Sequence, residues 1–258
     1  MSGGTIVVIA NQKGGVGKST TAINLGAGLA LQDERILIVD LDPQGNTSSG
    51  LGVDRGAIES STYDVLVGGV DVSDVLEPTS VKGLHVVPAT IELAGAEIEL
   101  VSMFSREHRL RQALQSVVEE YDFVLIDCPP SLGLLTINGL AAADEVLIPI
   151  QCEYYALEGV SQLTRNIDLV RGSLNPELEI EGVVLTMFDG RTKLSADVVA
   201  QVREHFGETT YRTVIPRTVR LSEAPSYGEP IEAYDDMSRG AIAYRELARE
   251  FRRRHGRA

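Results

Sequence analysis

The chain has 258 residues, 43% of them hydrophobic and 23% charged, which fits one globular domain and excludes a disordered or fibrous protein. Its two cysteines, Cys128 and Cys152, form neither a close zinc-type pair nor a disulfide framework, and this usage favours a reducing cytosol. No apolar run reaches the roughly 18 residues of a membrane span, and no signal peptide is recognisable. We therefore predict a soluble, cytoplasmic protein.

The net charge of −14 is unevenly distributed along the chain. Residues 1–185 contain 10 Lys/Arg and 26 Asp/Glu, whereas residues 186–258 contain 13 and 11, which gives net charges of −16 and +2. The acidity of the whole chain argues against binding to nucleic acid, whose phosphates attract basic surfaces. The last quarter can nevertheless carry a local basic patch, or else a solvated surface of mixed charge.

Short apolar runs alternate with segments of helical character. The runs are continuously apolar, as expected of strands that are covered on both faces. Alternation of this kind predicts an α/β fold with a doubly wound, mostly parallel sheet and helices on both faces. No linker or repeat divides residues 1–258, which are predicted to form a single domain. The predicted strands are 5–10, 36–42, 84–89, 122–130, 145–151, 179–187 and 210–216, and the predicted helices are 19–32, 91–102, 106–119, 157–171, 195–206 and 238–254.

A glycine-rich loop, "NQKGGVGKST", joins the first strand to the first helix. It departs from the phosphate-binding P-loop pattern at Gln12, where that pattern has a glycine, and a second lysine follows. Backbone N–H groups of such a loop and the positive end of the next helix bind phosphate. Lys18 is predicted to reach the β and γ phosphates, Ser19 to bind Mg²⁺ and Thr20 to hold the α phosphate. The predicted nucleotide-binding residues of the loop are Lys13, Gly14, Gly15, Val16, Gly17, Lys18, Ser19 and Thr20.

Carboxylates follow two further predicted strands, in "VDLDPQGN" and "LIDCPPS". The carboxyl ends of parallel strands form the edge at which ligands bind in such folds. A single carboxylate at a strand end often only caps the next helix. Asp40, Asp42 and Asp127 beside a P-loop instead indicate roles toward magnesium and the attacking water.

Six blocks of the sequence resemble the deviant Walker A ATPases, most closely the short ParA/Soj branch of the ParA/MinD family. The blocks are "NQKGGVGKST", "VDLDPQGN", "LIDCPPSLG", "EYYALEGVSQL", "LTMFDGRTKLS" and "VIPRTVRLSEAPSYGEPI". The resemblance implies the P-loop NTPase fold and an Mg²⁺-dependent ATPase that partitions chromosomes or plasmids. It also implies an ATP sandwich homodimer, non-specific binding to double-stranded DNA, association with the nucleoid, and hydrolysis stimulated by a ParB-like partner.

The resemblance also assigns roles to individual residues. Lys13 would reach the phosphates of ATP held by the other subunit, Asp42 would activate water, and Asp127 would hold Mg²⁺ through water. Asp40 would support the metal shell, and a side chain at Gly14 would block dimerisation. Pro216 and Thr218 would contact the adenine end of the nucleotide.

The DNA surface implied by the resemblance lies in the basic last quarter. Contacts of basic side chains with backbone phosphates give affinity without sequence preference. The alternative is that these arginines pair with nearby acids such as Asp189 or Glu223, because surface ion pairs are common. The residues assigned to the DNA surface are Arg191, Lys193, Arg217 and Arg220.

Three alternatives on the same ATPase fold remain open at this point. A MinD-like division regulator would use an amphipathic C-terminal helix on the membrane. The apolar face of residues 238–254 is short, so it is predicted to pack on the core, and membrane binding is disfavoured. An iron–sulfur carrier would need a close cysteine pair, which the sequence lacks. The sequence does not distinguish a DNA partition protein from a ParA-like protein that positions carboxysomes or chemoreceptor clusters. We expect no helix-turn-helix extension before the ATPase region, and therefore no operator-specific repression.

Overall fold

The computed structural model describes residues 4–154 and 156–257, with the backbone alone for residues 156–161. In this part of the chain eight strands form one sheet, and ten α-helices surround it. The strands are β1 (Thr5–Ile9), β2 (Ile36–Asp40), β3 (Glu77–Pro78), β4 (Leu84–Val87), β5 (Phe123–Asp127), β6 (Glu145–Gln151), β7 (Glu179–Phe188) and β8 (Thr210–Pro216). The helices are α1 (Lys18–Ala30), α2 (Asn46–Gly50), α3 (Leu93–Glu99), α4 (Arg109–Leu114), α5 (Leu134–Ala142), α6 (Ala156–Ser173), α7 (Lys193–Phe206), α8 (Val219–Glu223), α9 (Ile231–Tyr234) and α10 (Arg239–Arg254).

The sheet has the strand order β3-β4-β2-β5-β1-β6-β7-β8. All neighbouring strands are parallel except β3, a two-residue edge strand that pairs antiparallel with β4. The predicted α/β fold with a mostly parallel sheet is confirmed. In the register between β2 and β5, Asp40 lies opposite Asp127, so the two predicted carboxylates are direct neighbours across the strands.

The central strands are apolar throughout because helices cover both of their faces. Val8 of β1 packs in a core shared with α4 and α5, whereas its neighbours Val7 and Ile9 pack in a second core shared with α1 and α10. All three side chains are fully buried. This two-sided burial explains why the strands read as unbroken apolar runs in the sequence.

Helix α5 was not predicted, and the predicted helix 106–119 is shorter than expected. The nine residues of α5 are almost all buried, so the helix lacks the polar face by which an amphipathic helix is recognised. In the 106–119 segment the α-helix covers only Arg109–Leu114 and a separate 3₁₀ turn follows at Val118–Glu120. The segment 50–78 contains a short π-helix at Asp64–Gly68 and a 3₁₀ turn at Val72–Asp74.

The C-terminal helix α10 packs on the core as predicted. Tyr244, Leu247 and Phe251 are buried, and the Tyr244 hydroxyl lies 3.2 Å from the hydroxyl of Thr21 in α1. Arg252 donates to Glu34 at 2.8 Å, so this end of the helix is also fixed by charge. The apolar face of α10 is thus occupied by the protein itself. Within residues 4–154 and 156–257, no helix combines the length and apolar character needed to cross a membrane.

Candidate nucleotide site at the carboxyl edge of the sheet

A cavity of about 780 Å³ lies at the carboxyl ends of the strands. The loops after β1 and β2, the carboxyl-terminal ends of β7 and β8 and the residues after β8 all contribute to its wall. Parallel topology produces this convergence because every such strand ends at the same edge. The cavity therefore brings together most of the residues predicted to bind nucleotide. Those in its wall are Gly14, Gly15, Gly17, Lys18, Ser19, Thr20, Asp42, Pro216 and Thr218.

The glycine-rich loop has the backbone of a phosphate-binding loop. Gly15 and Gly17 have φ angles of 72° and 93°, in the left-handed region that favours glycine. Helix α1 begins at Lys18, directly after this turn, so its unpaired N–H groups face the cavity. Gln12 is not among the residues with positive φ, so the backbone there is one that a side chain tolerates. The replacement of the usual glycine at this position is therefore unstrained.

Lys18 is the buried cation of the loop. Lys18 is only 6% exposed, and its Nζ lies 3.4 Å from the carbonyl oxygen of Lys13. Burial lowers the pKa of Lys18, while the carboxylates of Asp127 and Asp42 oppose that decrease. A desolvated ammonium group with few protein partners is well suited to bind the charged oxygens of a phosphate.

Asp127 has one oxygen that the protein leaves without a hydrogen bond. It is fully buried, and Oδ2 accepts a hydrogen bond of 2.7 Å from the hydroxyl of Thr47, whereas Oδ1 has no hydrogen-bond partner among the described residues. Burial raises the pKa of this carboxyl group, opposed by the hydroxyls of Ser19 and Thr47 and by Lys18. An unpaired buried acceptor of this kind costs about 1–3 kcal/mol, which a cation or its bound water would offset.

The residues present fit Mg²⁺ held jointly with a nucleotide. Ser19 and Asp127 supply a hydroxyl and a carboxylate, and Mg²⁺ usually completes its shell with water and substrate phosphates. In the described residues no group of three or more His, Cys, Asp or Glu side chains is arranged to hold a metal alone. The metal would therefore enter with the nucleotide.

Asp40 acts on the loop that carries Asp42. Its Oδ2 accepts hydrogen bonds from the backbone N–H and the hydroxyl of Ser48, at 2.9 and 2.7 Å, and its Oδ1 accepts one from the N–H of Asp42 at 3.1 Å. Burial, and then the charge of Asp127, raise the pKa of Asp40. Both oxygens are thus used by the protein, so Asp40 supports the site by shaping the 41–48 loop.

Asp42 has a carboxylate oxygen directed to neither a backbone nor a side-chain donor. The residue is 7% exposed and lines the cavity. Oδ1 accepts a hydrogen bond of 3.0 Å from the N–H of Gln44, and no donor in the described residues bonds to Oδ2. One oxygen fixes the side chain while the other can accept a proton or orient water.

Lys13 points away from the phosphate-binding loop of its own chain. Its Nζ lies 3.6 Å from Oε2 of Glu153, and both side chains are more than a third exposed. Gly14, beside it, is exposed, and a Cβ added there would meet no atom of the described residues within 4 Å. These two positions are therefore at the surface of the protomer, next to the cavity.

Two residues at the end of β7 belong to the site and were missed in the sequence. The Thr186 hydroxyl donates a hydrogen bond of 2.7 Å to the carbonyl oxygen of Val16 and so ties β7 to the glycine-rich loop. Met187 lines the cavity with φ of 53°, a left-handed conformation that is strained for a residue with a side chain. Both residues lie in the block "LTMFDGRTKLS", but the local sequence does not reveal their roles, since Val16, the partner of Thr186, is 170 residues away.

The predicted adenine contacts both line the cavity, and Thr218 has a second role. Its hydroxyl accepts a hydrogen bond of 3.3 Å from the N–H of Leu221 and caps α8. Pro216 ends β8 and is partly buried. The structure therefore brings Pro216 and Thr218 to the site, at the side formed by β7 and β8.

The residues assigned to DNA binding are near the same edge but not in one cluster. Arg217 lines the cavity, and Lys193 is exposed at the first turn of α7. Arg191 is 89% exposed and pairs with Asp189 through contacts of 2.9 and 2.7 Å. Arg220 pairs with Glu223 at 3.0 Å and with Asp235 at 3.3 Å. Both arginines thus make ion pairs with nearby acids, two of them anticipated from the sequence.

A glycine-rich phosphate-binding loop at the carboxyl edge of a parallel sheet is typical of P-loop NTPases. The chain has the P-loop NTPase fold. A family model described as an AAA domain matches residues 4–180. The sporulation initiation inhibitor protein Soj of Bacillus subtilis is 58% identical over 96% of this chain and 98% of its own. The chromosome partitioning protein ParA of Myxococcus xanthus is 55% identical over 97% of this chain and 89% of its own. The chain belongs to the ParA/Soj family of ATPases, as its sequence predicted.

A solved structure with bound ADP and magnesium has the same fold. It is the Mycobacterium smegmatis protein named cobyrinic acid a,c-diamide synthase, with 42% identity, a TM-score of 0.84 and coverage of 95% of this chain and 93% of that one. The predicted cofactors, ATP and Mg²⁺, agree with the ligands of this relative. Its name describes amide formation, whereas both relatives of higher identity, Soj and ParA, are named for sporulation control and chromosome partition.

Proposed function

We propose that the protein is a cytoplasmic, Mg²⁺-dependent ATPase that partitions chromosomal or plasmid DNA. In this proposal ATP binding produces a sandwich homodimer that binds nucleoid DNA without sequence preference, and a ParB-like partner stimulates hydrolysis and release. The observation that carries the proposal is a cavity lined by Lys18 and Asp42, with the carboxylate of Asp127 buried close to Lys18, in a chain 58% identical to Soj.

The chemistry follows from the residues around the cavity. The N–H groups of the loop and the Lys18 ammonium bind the phosphates, and Ser19 and Asp127 hold the metal. Magnesium, when bound, neutralises part of the charge of the triphosphate. Asp42 orients the attacking water with its free oxygen. Lys13 lies at the surface beside Glu153, and in this proposal it binds the nucleotide of a second subunit.

The link from nucleotide to DNA is electrostatic. A homodimer presents the arginines that follow β7 and β8 twice, so dimerisation doubles the number of phosphate contacts that one particle can make. Arg191 and Arg220 must exchange their acidic partners for DNA phosphates. Exposed ion pairs contribute only about 0–1 kcal/mol to stability, so breaking them for this exchange costs little free energy.

Membrane attachment through the C-terminus is not favoured by the structure. Tyr244, Leu247 and Phe251, which form the apolar face of α10, are all buried against the rest of the protein, and Ile242 is the exposed large apolar side chain of this helix. An interfacial helix needs such a face for the lipid. By analogy with the related proteins, we assign the partition complex as the cargo. A different cargo on the nucleoid would use the same nucleotide switch.

The decisive experiment is a titration of double-stranded DNA of unrelated sequence with ATP, ADP or no nucleotide, at about 50 and 200 mM salt. We expect binding with ATP only, and a loss of affinity as the salt concentration rises, because counterions compete for the phosphates. Binding that is the same in all three nucleotide states, or absent in all of them, would reject the DNA switch.

Replacing Arg191 and Arg220 is expected to weaken ATP-dependent DNA binding without affecting the dimer. Each arginine lost should lower the slope of log affinity against log salt by about 1 per phosphate contact. The test is a DNA-binding assay that compares the double variant Arg191→Ala/Arg220→Ala with the control Arg35→Ala. Arg35 is a matched control because it is 59% exposed, pairs with Asp122, and precedes β2 at the opposite edge of the sheet. If the double variant binds DNA like the control, the DNA surface lies elsewhere.

A side chain at Gly14 is expected to prevent the ATP dimer while the protomer still binds nucleotide. The protomer has open space around this position, and its φ is not left-handed, so Gly14→Val strains nothing within one chain. The measurement is light scattering after size exclusion with ATP, beside nucleotide affinity. Gly15→Ala is the contrasting variant, since its φ of 72° makes a side chain strained, and it should weaken nucleotide binding itself. Stable Gly14→Val dimers would place the subunit contact away from this loop.

A further inference from the structure

The N-terminus of α5 is capped by a side chain from another helix. The N-cap residue, Gly133, has no side chain to cap with. Glu97 of α3 takes that place: Oε2 accepts a hydrogen bond of 2.8 Å from the N–H of Leu134, and Oε1 accepts one of 3.3 Å from the N–H of Leu135. The carboxylate also faces the positive end of the α5 dipole. Two otherwise unpaired N–H groups are thereby satisfied from a distance of more than thirty residues in sequence.

The capping arrangement requires glycine at position 133, because a side chain there would occupy the space of the Glu97 carboxylate. Its backbone is extended, with φ of −93°, which any residue adopts. A Cβ at this position would lie 2.2 Å and 2.5 Å from the two carboxylate oxygens of Glu97. A serine or aspartate, the usual N-cap residues, would therefore displace Glu97. The chain has a cap from α3 in place of a local one.

The cap fixes one end of the loop that follows Asp127. Residues 128–133 join that carboxylate at the end of β5 to α5, and Pro130 of this loop lines the nucleotide cavity. At its α5 end the loop is held by Glu97 and by the Thr136 hydroxyl, which donates to the carbonyl oxygen of Ser131 at 2.6 Å. Loss of the cap would loosen the first turn of α5 and with it this wall of the cavity.

We propose that Glu97 is a positioning residue for ATP hydrolysis: from α3 it caps α5 and holds residues 128–133 in place beside the nucleotide. The inference rests on the proposed ATPase function. Glu97 acts on turnover more than on nucleotide affinity, because its hydrogen bonds in the described part of the chain go to α5, whereas Lys18 of the phosphate-binding loop bonds to Lys13. Asp127 itself stays anchored in β5 and by Thr47.

The test measures three quantities in Glu97→Ala, Glu97→Gln and Gly133→Ala: kcat and KM for ATP, affinity for fluorescent ADP, and amide exchange of Leu134 and Leu135. In Glu97→Ala we expect these two amides to exchange about 3- to 30-fold faster, as for loss of a helix cap. We expect kcat to fall about ten- to a hundredfold, as for a small misplacement of a catalytic loop. ADP affinity should stay within about twofold of the unsubstituted chain, because the phosphate-binding loop is untouched.

The conservative variant distinguishes positioning from general stability. Glu97→Gln keeps one acceptor oxygen and should recover part of kcat and part of the protection, while Gly133→Ala should behave like Glu97→Ala. The control is Glu99→Gln on the same helix, since Glu99 accepts a hydrogen bond from Tyr63 and not from α5. If Glu97→Ala does not fold, Glu97→Gln and Gly133→Ala decide.

Unchanged exchange at Leu134 and Leu135, unchanged kcat, or an equal decrease in Glu99→Gln would overturn the role of Glu97. The proposed function fails separately: in that case the unsubstituted chain itself shows no ATP hydrolysis or no ATP-dependent DNA binding.

Discussion

The Asp42→Ala variant is expected to bind ATP and form dimers but to hydrolyse ATP about 10²- to 10⁴-fold more slowly than the unsubstituted chain. Asp42 lines the cavity and its Oδ2 receives no hydrogen bond from the described residues, whereas the unpaired Oδ1 of Asp127 belongs to a fully buried residue outside the cavity wall. Asp40 uses both of its oxygens for Ser48 and Asp42, and Asp127 lies beside Ser19. Removal of Asp42 should therefore stop the chemical step and leave phosphate binding intact.

Trapped dimers should then accumulate on DNA with ATP. Phosphate release and retention on DNA-coated beads measure the two effects in one sample. Asp42→Asn keeps the size and the hydrogen bond from Gln44 and removes only the charge, so it should fail in the same way. Asp197→Ala, at an exposed position of α7, is the matched control. Normal turnover in Asp42→Ala would assign activation of water to another residue.

The sequence predicted the parts of the fold that have strong local signals. The continuous apolar runs of β1, β2 and β5 arise from burial on both faces, and this pattern is visible without any tertiary information. Strand β3 has only two residues, too few for a periodic pattern. Helix α5 lacks a polar face and has Gly133 in place of a capping side chain, so both usual helix signals are missing.

The candidate site divides in the same way. Lys18, Ser19, Asp42 and Asp127 were recognisable because each stands in a motif directly after a strand. The contributions of Thr47, Thr186 and Glu97 depend on hydrogen bonds that span 80, 170 and 37 residues. Their residue types are common, and only the folded chain brings them to their partners.

The partners of Arg191 and Arg220 show a further limit of sequence reasoning. The sequence suggested both DNA phosphates and nearby acids as partners, and the protomer has the acids in place. The two states are compatible because an exposed ion pair is weak and DNA offers a dense row of negative charge. The protomer displays the ion pairs with acids, and under the proposed DNA switch the dimer would exchange them for contacts with DNA phosphates.

Lys13→Ala is expected to lower partner-stimulated ATP hydrolysis by about 10³-fold, the lower end of what a cation supplied in trans contributes. ATP binding by the protomer should change little, because Lys13 pairs with Glu153 at the surface and Lys18 is the buried cation of the loop. Phosphate release and nucleotide affinity measure these two expectations separately.

Mixing two inactive variants tests whether Lys13 acts across the dimer. A Lys18→Ala chain cannot bind its own nucleotide productively but still carries Lys13, and a Lys13→Ala chain has the reverse defect. A dimer of one chain of each kind contains one complete site if Lys13 acts in trans and none if it acts within its own chain. Random pairing in a twofold dimer would then restore up to about a quarter of the unsubstituted activity. Recovery on mixing requires a site shared between subunits, whereas two variants that stay inactive together would confine Lys13 to its own chain.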